Sequence, residues 1–432
     1  MAKMNMKKYK KGGWESWSRL AIFPALLSTW GWTGDLRADQ TNVVLPTNVD
    51  REFLQKLVDQ VNQDSAQIKD LKGQLVLKNS MDEGADTPAA PKYPSLQFHG
   101  FADIDYHASS RLGIPNVQGV TYNPPSDHAG NSFFLGELDL YMQSQLAEDI
   151  SVLNETVISS GPNNYCGVDI ERLELSWHPS DYFNVDFGRF HTALGYYNTE
   201  YHHGTWFQNA VGRPFFLEYE DSGGLLPVHM VGVSVHGAIP SGKLNLGYFA
   251  EVGNGRNYTA SGNPVQNEID ANRAKALNLA LVAKPDWFPG GQFGAGAYYD
   301  SVTADGQPPT DEWIWNTHVV YHSSAWELMA EGFLISHQAA GERAHYSPMY
   351  YVQAGRRFGQ YTPYVRFTYV NTSRYDPIYT TILNQAGLDY GPSIGLRYDF
   401  STYVALKLQY DYVVQTGFND ANEVTFQAAF TF

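Results

Sequence analysis

The side chains able to do chemistry are present but scattered. Thirteen histidines include the adjacent pair His202 and His203. Neighbouring side chains of an extended segment point to opposite sides, so such a pair rarely grips one ion. No His-Glu-x-x-His stretch and no set of cysteine ligands accompanies them, so no metal site is expected. The single cysteine, Cys166, lies just after a Gly-Pro-Asn-Asn turn sequence and reads as a lone loop thiol, which excludes a disulfide framework. For nucleophilic catalysis the best fragment is Asn316 with His318, and no serine is placed with them. No Cys-x-x-Cys-His is present to attach a haem. The chain therefore reads as a non-enzyme without a cofactor. What recurs instead is single charged residues at every second position among apolar neighbours. Their chemistry is electrostatic: groups so spaced line one strand face, where they attract, repel and hydrogen-bond.

The elements that must position them have a period of two. At the end of the chain Val424, Phe426, Ala428, Phe430 and Phe432 alternate with Glu423, Thr425, Gln427, Ala429 and Thr431. Val404, Leu406, Leu408, Tyr410 and Tyr412 alternate with Ala405, Lys407, Gln409 and Asp411. About sixteen such runs start near 95, 132, 149, 168, 182, 229, 243, 274, 292, 313, 326, 347, 362, 390, 402 and 421. Their connections alternate short and long, the longest covering 191–228. A soluble sandwich or propeller has no reason for that asymmetry. A closed antiparallel transmembrane barrel does, with short turns at one rim and long loops at the other. Strands of about 9–11 residues cross a bilayer when tilted. Closure is what lets every backbone group pair in lipid. The composition agrees: 14% aromatic, only 17% charged, with Leu20–Trp32 the longest uncharged apolar-rich run and too short for a spanning helix. A formal net charge of −16 argues against a nucleic-acid partner.

Ahead of the strands the pattern changes. Residues 1–38 carry Lys3, Lys7, Lys8, Lys10 and Lys11, then the apolar run, and read as a secretory signal ending near Ala38. Without them 22 basic residues face 43 acidic ones, a net of −21. In 39–78, Leu54, Leu57, Val61, Ile68, Leu71 and Leu75 fall at heptad a and d positions, which predicts a short periplasmic helical segment forming a coiled coil. Residues 79–94, with Gly84, Pro88, Pro91 and Pro94, read as a linker. The barrel is expected over 95–432, an all-β fold of about sixteen strands.

Phe432, after Phe426 and Phe430, is similar to the C-terminal assembly signal of bacterial outer-membrane proteins. The chain resembles a trimeric sixteen-stranded porin, and more narrowly the phosphate-selective porin O and P-like superfamily. The resemblance is carried by Phe98-His99-Gly100-Phe101-Ala102-Asp103, Leu153-Asn154-Glu155, Phe187-Gly188-Arg189-Phe190 and Thr362-Pro363-Tyr364-Val365-Arg366. The segment from Gly195-Tyr196-Tyr197-Asn198-Thr199 through Tyr201-His202-His203-Gly204 to Arg213-Pro214 is similar to porin-like proteins of no defined substrate. The resemblance implies the outer membrane, contact with its lipids, assembly by the barrel-assembly machinery, a homotrimer, and passive diffusion of small hydrophilic solutes or ions. It also implies that the third long loop folds inward and sets the constriction, with Tyr196, Tyr197, His202, His203, Trp206, Arg213, Glu218 and Glu220 there. Its aromatics would pack on the wall while His, Arg and Glu face water.

Strand parity places Asp103, Asp105, Glu137, Asp139, Glu155, Arg172, Glu174, Glu327, Glu331, Arg366, Arg397, Lys407 and Asp411 in the lumen. Over 95–432, 16 Lys and Arg stand against 34 Asp and Glu, a net of −18, and only Lys243, Lys275, Lys284 and Lys407 are lysines. The superfamily's lysine-based phosphate site is therefore not carried over, and a weak cation preference is expected. The competing reading is a structural sheath barrel that houses another outer-membrane component.

Overall fold

The computed structural model describes residues 93–110, 131–161, 165–201, 204–218, 225–258, 264–265, 269–270, 272–304, 308–379 and 387–432. The expected signal and helical segments, most of the linker, and His202, His203 and Glu220 lie outside these residues.

Alternating sequence becomes strand throughout. In chain order these are β1 (Ser95–Ser109), β2 (Ser132–Gln145), β3 (Ile150–Gly161), β4 (Tyr165–Ser180), β5 (Phe183–His191), β6 (His229–Ile239) and β7 (Leu246–Gly253). Next come the two-residue β8 (Asn257–Tyr258) and β9 (Pro264–Val265), which pair with each other within a loop. There follow β10 (Ala276–Ala283), β11 (Gly291–Ala304), β12 (Thr310–His322), β13 (Trp326–Ala339) and β14 (His345–Arg356). The last are β15 (Tyr361–Thr372), β16 (Gly387–Asp399), β17 (Val404–Gln415) and β18 (Ala421–Thr431). Every barrel strand starts within three residues of its sequence-predicted position.

Each of β1–β6 pairs antiparallel with its successor, β7 pairs with β10, and β10–β18 continue the same way. β18 then returns to β1, from Phe101 opposite Thr431 to Ser109 opposite Glu423, so sixteen strands form a closed antiparallel ring. No edge remains to be satisfied by water, the condition for a sheet in hydrocarbon. The short turns and both ends of the strand set share one rim, and the long loops share the other.

Burial is inverted relative to a soluble protein. Along β12, Thr310, Glu312, Ile314, Asn316, His318 and Val320 are buried, while Trp313, Trp315 and Val319 are exposed. Leu277, Leu279, Leu281, Val352, Val365, Ile394, Leu408 and Val424 continue the exposed apolar belt on other strands. An outward arginine or lysine at mid-bilayer would cost about 2–4 kcal/mol, which is why the charges alternate inward. Exposed aromatics mark both rims: Trp177, Tyr182, Trp287, Tyr361 and Tyr403 near the short turns, and Phe133, Trp313, Tyr346 and Tyr375 toward the long loops.

Parity slips at bulges. Between β3 and β4 the register shifts at Glu155/Thr156, so Glu171 is an extra residue beside Arg172 and both are buried.

Candidate functional site: a loop anchored across the barrel interior

The described residues of the connection from β5 to β6, 192–201, 204–218 and 225–228, lie inside the ring. The connection begins with a single turn of helix, α1 (Tyr197–Glu200), and later makes a short 3₁₀ turn at Phe215–Glu218. Asn198 ties its two ends together, donating to the carbonyls of Thr192 at 2.8 Å and Val228 at 3.0 Å. A backbone buried this deeply must find partners for its N–H and C=O groups, and the wall supplies both kinds.

Carboxylates receive the N–H groups. Glu251 of β7 accepts from Ala193 N–H at 3.0 Å, and also from Asn278 and Ser234. Glu331 of β13 accepts from Tyr196 N–H at 2.5 Å, Tyr197 N–H at 2.9 Å and the Tyr351 hydroxyl at 2.7 Å. The chain reaches Glu331 because Gly195 adopts φ +80°, and a Cβ there would stand 2.4 Å from Glu331 Oε2. Gly195→Ala should unseat this end of the loop, read as faster hydrogen exchange at 192–200 with the barrel strands unchanged. Glu327 accepts from the Asn209 amide at 2.6 Å.

Cations receive the C=O groups, two each. Arg397 of β16 donates to Trp206 O at 2.6 Å and Gln208 O at 2.8 Å. Lys407 of β17 donates to Thr205 O and to Ala210 O. Arg366 of β15 donates to Val211 O at 3.2 Å and Gly212 O at 3.1 Å. Gln409 takes both polar groups of Val211, accepting its N–H at 3.0 Å and donating to its oxygen at 3.1 Å, while Tyr364 Oη also accepts that N–H. Thr205 donates to Asp103 of β1 at 3.3 Å. Glu327, Arg397 and Lys407 sit within four residues of the short-turn ends of their strands, so the loop crosses in that half of the barrel.

Apolar packing completes the seat. Leu194, Tyr197, Phe216, Leu217, Leu225, Leu226 and Val228 form one buried cluster with Ile314, Met329, Phe333, Ile335, Met349 and Tyr351 of the wall. The Phe216 ring meets Phe333 edge-on at 5.7 Å. Trp206 packs instead toward Phe101, Tyr141 and Leu153, and Phe207 touches both clusters.

Of the parity-placed charges, all are buried except Glu137, which is half-buried. They fall into two groups. Arg366, Arg397, Lys407, Glu327, Glu331 and Asp103 hold the loop, while Gln409 also donates to Asp411. Asp139, Glu155, Arg172 and Glu174 make a network of their own on β2–β4: Arg172 pairs with Glu155 and lies 3.6 Å from Glu174, and Tyr141 donates to Asp139 at 3.1 Å and Glu155 at 2.5 Å. Asp105 is buried beside Asp103 on β1. In the loop, Tyr196 and Tyr197 are buried, and burial raises the Tyr197 hydroxyl above its ordinary pKa. Arg213 is buried with its guanidinium on Leu217 O at 3.4 Å, not facing water.

A cavity remains on one side of the loop, with about 450 Å³ of atom-free space, part of it open solvent. Gly195, Thr199 and Glu200 bound it on the loop side, and Ala280, Lys284, Gln292, Asn316 and His318 on the wall. Burial holds the Lys284 ammonium below the usual lysine pKa, with Glu200 opposing that shift. Sequence reading missed Glu251, Gln409, Tyr364, Glu200 and Lys284 as site residues. For Gln409 and Tyr364 the signal existed, since both share strand parity with named charges.

Neither a protein-family model nor a curated protein sequence matches this chain. Solved structures do match in fold. The anion-selective porin from Comamonas acidovorans is 12% identical, with a TM-score of 0.54 over 78% of this chain and 100% of that one. The outer-membrane channel DcaP of Acinetobacter baumannii is 12% identical, with a TM-score of 0.53 over 81% of this chain and 99% of that one. OmpT of Vibrio cholerae in its trimer form is 10% identical, with a TM-score of 0.50 over 79% of this chain and 100% of that one. At these identities the likeness is one of fold: a sixteen-stranded porin-like barrel.

Proposed function

We propose that the chain is an outer-membrane porin for passive diffusion of small hydrophilic solutes or ions. The observation that carries this reading is the closed ring itself, apolar outside and polar within, crossed by a loop that narrows the interior. Solutes pass beside α1, along Glu200, Lys284, Gln292, Asn316 and His318. The barrel lies in outer-membrane lipid and assembles as a homotrimer, as OmpT of Vibrio cholerae does in its trimer form.

Arg366, Arg397 and Lys407 donate to loop carbonyls, and in the passage Lys284 is accompanied by Glu200. That leaves the acidic excess of −18 over residues 95–432 to set selectivity, so the channel prefers cations weakly. Single-channel recording with ion substitution on purified protein tests both points. The expected result is a measurable conductance with a reversal potential displaced toward that of the cation in a salt gradient. Clear anion selectivity would remove the electrostatic part of the reading, and absence of conductance would remove the porin itself in favour of a sheath barrel. Deletion of residues 201–210 should raise conductance, and an unchanged value would detach the loop from the constriction.

A further inference from the structure

Two clusters of metal-binding side chains occur among the described residues, and neither belongs to the loop anchorage. One is Glu171, His191 and His229; the other is His178, Asp186 and His236. Their surroundings separate them.

In the first, His229 Nε2 stands 2.6 Å and His191 Nε2 3.5 Å from Glu171 Oε1. Arg189 Nη2 lies 3.1 Å from His229 Nδ1. Arginine only donates, so Nδ1 must accept, and the proton of the neutral ring then resides on Nε2, the atom a metal would need. The guanidinium also repels a cation. This cluster is a set of ion-pair-distance contacts on Glu171, with Arg189 bonded to His229.

The second is built differently. His178 near the end of β4, Asp186 in β5 and His236 in β6 come from three adjacent strands close to the short-turn rim. Trp177 and Phe187 beside them in sequence are exposed, which sets His178 and Asp186 on the interior face. Both imidazoles present Nε2 to the one carboxylate, His178 at 3.2 Å from Oδ1 and His236 at 2.8 Å from Oδ2. The His236 ring is held flat against Phe249, 5.6 Å between centroids at 24°. Asp186 meets these two imidazoles with one carboxylate oxygen each. The side chains are 6–14% exposed, enough for entry from the interior.

We infer that His178, Asp186 and His236 form a binding site for a divalent transition ion of the zinc class, reached from the barrel interior near its short-turn rim. Two imidazole nitrogens and a carboxylate oxygen suit borderline ions such as Zn²⁺, whose ligands stand about 2.0–2.1 Å from the metal. The three ligand atoms already lie within 4.8 Å of one another, so small rotations bring them onto one ion. Binding needs only a tautomer change, moving each ring proton from Nε2 to Nδ1. Water or a solute carboxylate completes the coordination.

The test is Zn²⁺ titration of the full chain in detergent by calorimetry, with Co²⁺ absorption as a second probe of ligand geometry. Folding of each variant is checked by heat-modifiable electrophoretic mobility. The wild-type barrel should bind one ion, and His178→Gln, Asp186→Asn and His236→Gln should each weaken binding tenfold or more while remaining folded. His191→Gln should leave the affinity unchanged. No saturable Zn²⁺ binding by the wild type, or equal binding by folded His178→Gln and His236→Gln, would overturn the site. Loss of binding in His191→Gln alone would transfer it to the other cluster and overturn it equally.

Discussion

Replacing Arg397 and Lys407 together by Met should release the crossing loop and raise single-channel conductance several-fold. Both side chains end on peptide carbonyls, those of Trp206, Gln208, Thr205 and Ala210. Hydrogen bonds to a charged donor contribute about 1.5–3 kcal/mol each. Turning a loop from 99% seated to 99% released takes about 5.5 kcal/mol. Four such bonds exceed that threshold throughout the range, whereas the two of either cation reach it only at the upper end, so the single variants should show brief openings on a wild-type baseline. Met keeps length and apolar volume, so the effect is not one of cavity creation. Planar-bilayer recording of the two single variants and the double variant reads the result directly. A double variant with wild-type conductance would mean that the apolar cluster around Phe216 and Leu226, with the anchors at Arg366, Gln409, Glu331 and Glu251, seats the loop without these two cations.

Glu331→Ala should be the most disruptive single change to the loop. It strands the N–H groups of Tyr196 and Tyr197 and the hydroxyl of Tyr351, all buried. A buried donor left without an acceptor costs about 1–3 kcal/mol. In a closed barrel that loss falls on the loop, since β13 keeps its ladders to β12 and β14. Chymotrypsin should therefore cut the variant after Tyr201 or Phe207 at concentrations that leave the wild type intact, with the barrel's heat-modifiable mobility retained. Glu331→Gln keeps acceptor capacity at one oxygen and should be cut at an intermediate rate. Equal resistance of all three proteins would remove Glu331 from the anchorage.

The barrel was legible in the sequence because lipid imposes one rule on every strand. Phe426 and Leu408 had to face out and Gln427 and Lys407 in, so period and connection length together gave strand number and closure. The loop could be located by length alone, as the longest connection. What held it was not legible. The partners of Arg366, Arg397 and Glu331 are backbone groups, which every residue carries, so nothing in the side-chain pattern marks Val211 or Tyr197 as an anchor point. Sequence separations of about 134–202 residues hid the pairing further. Lys407 and Arg397, expected in the channel lining, end their donors on the loop's own carbonyls. Alternation also failed locally at Glu171, where an extra residue turns two successive side chains inward. The trio His178, Asp186 and His236 shares no motif, because its spacing is set by strand register.

The closing of β18 onto β1 bears on how the cylinder is made and kept. Gly100 and Phe432 exchange both backbone hydrogen bonds at 3.0 Å, so the seam joins the first strand to the last residue of the chain. Contacts so remote in sequence form late, after the greatest loss of chain entropy. The seam is thus the last joint to set and the natural place for the wall to part. The crossing loop spans it from within: Thr205 is held by Lys407 of β17 through its carbonyl and holds Asp103 of β1 through its hydroxyl. The segment that narrows the passage is also a strap across the closing joint, and a chain that mis-seats it would be expected to spring open along the line where β18 meets β1.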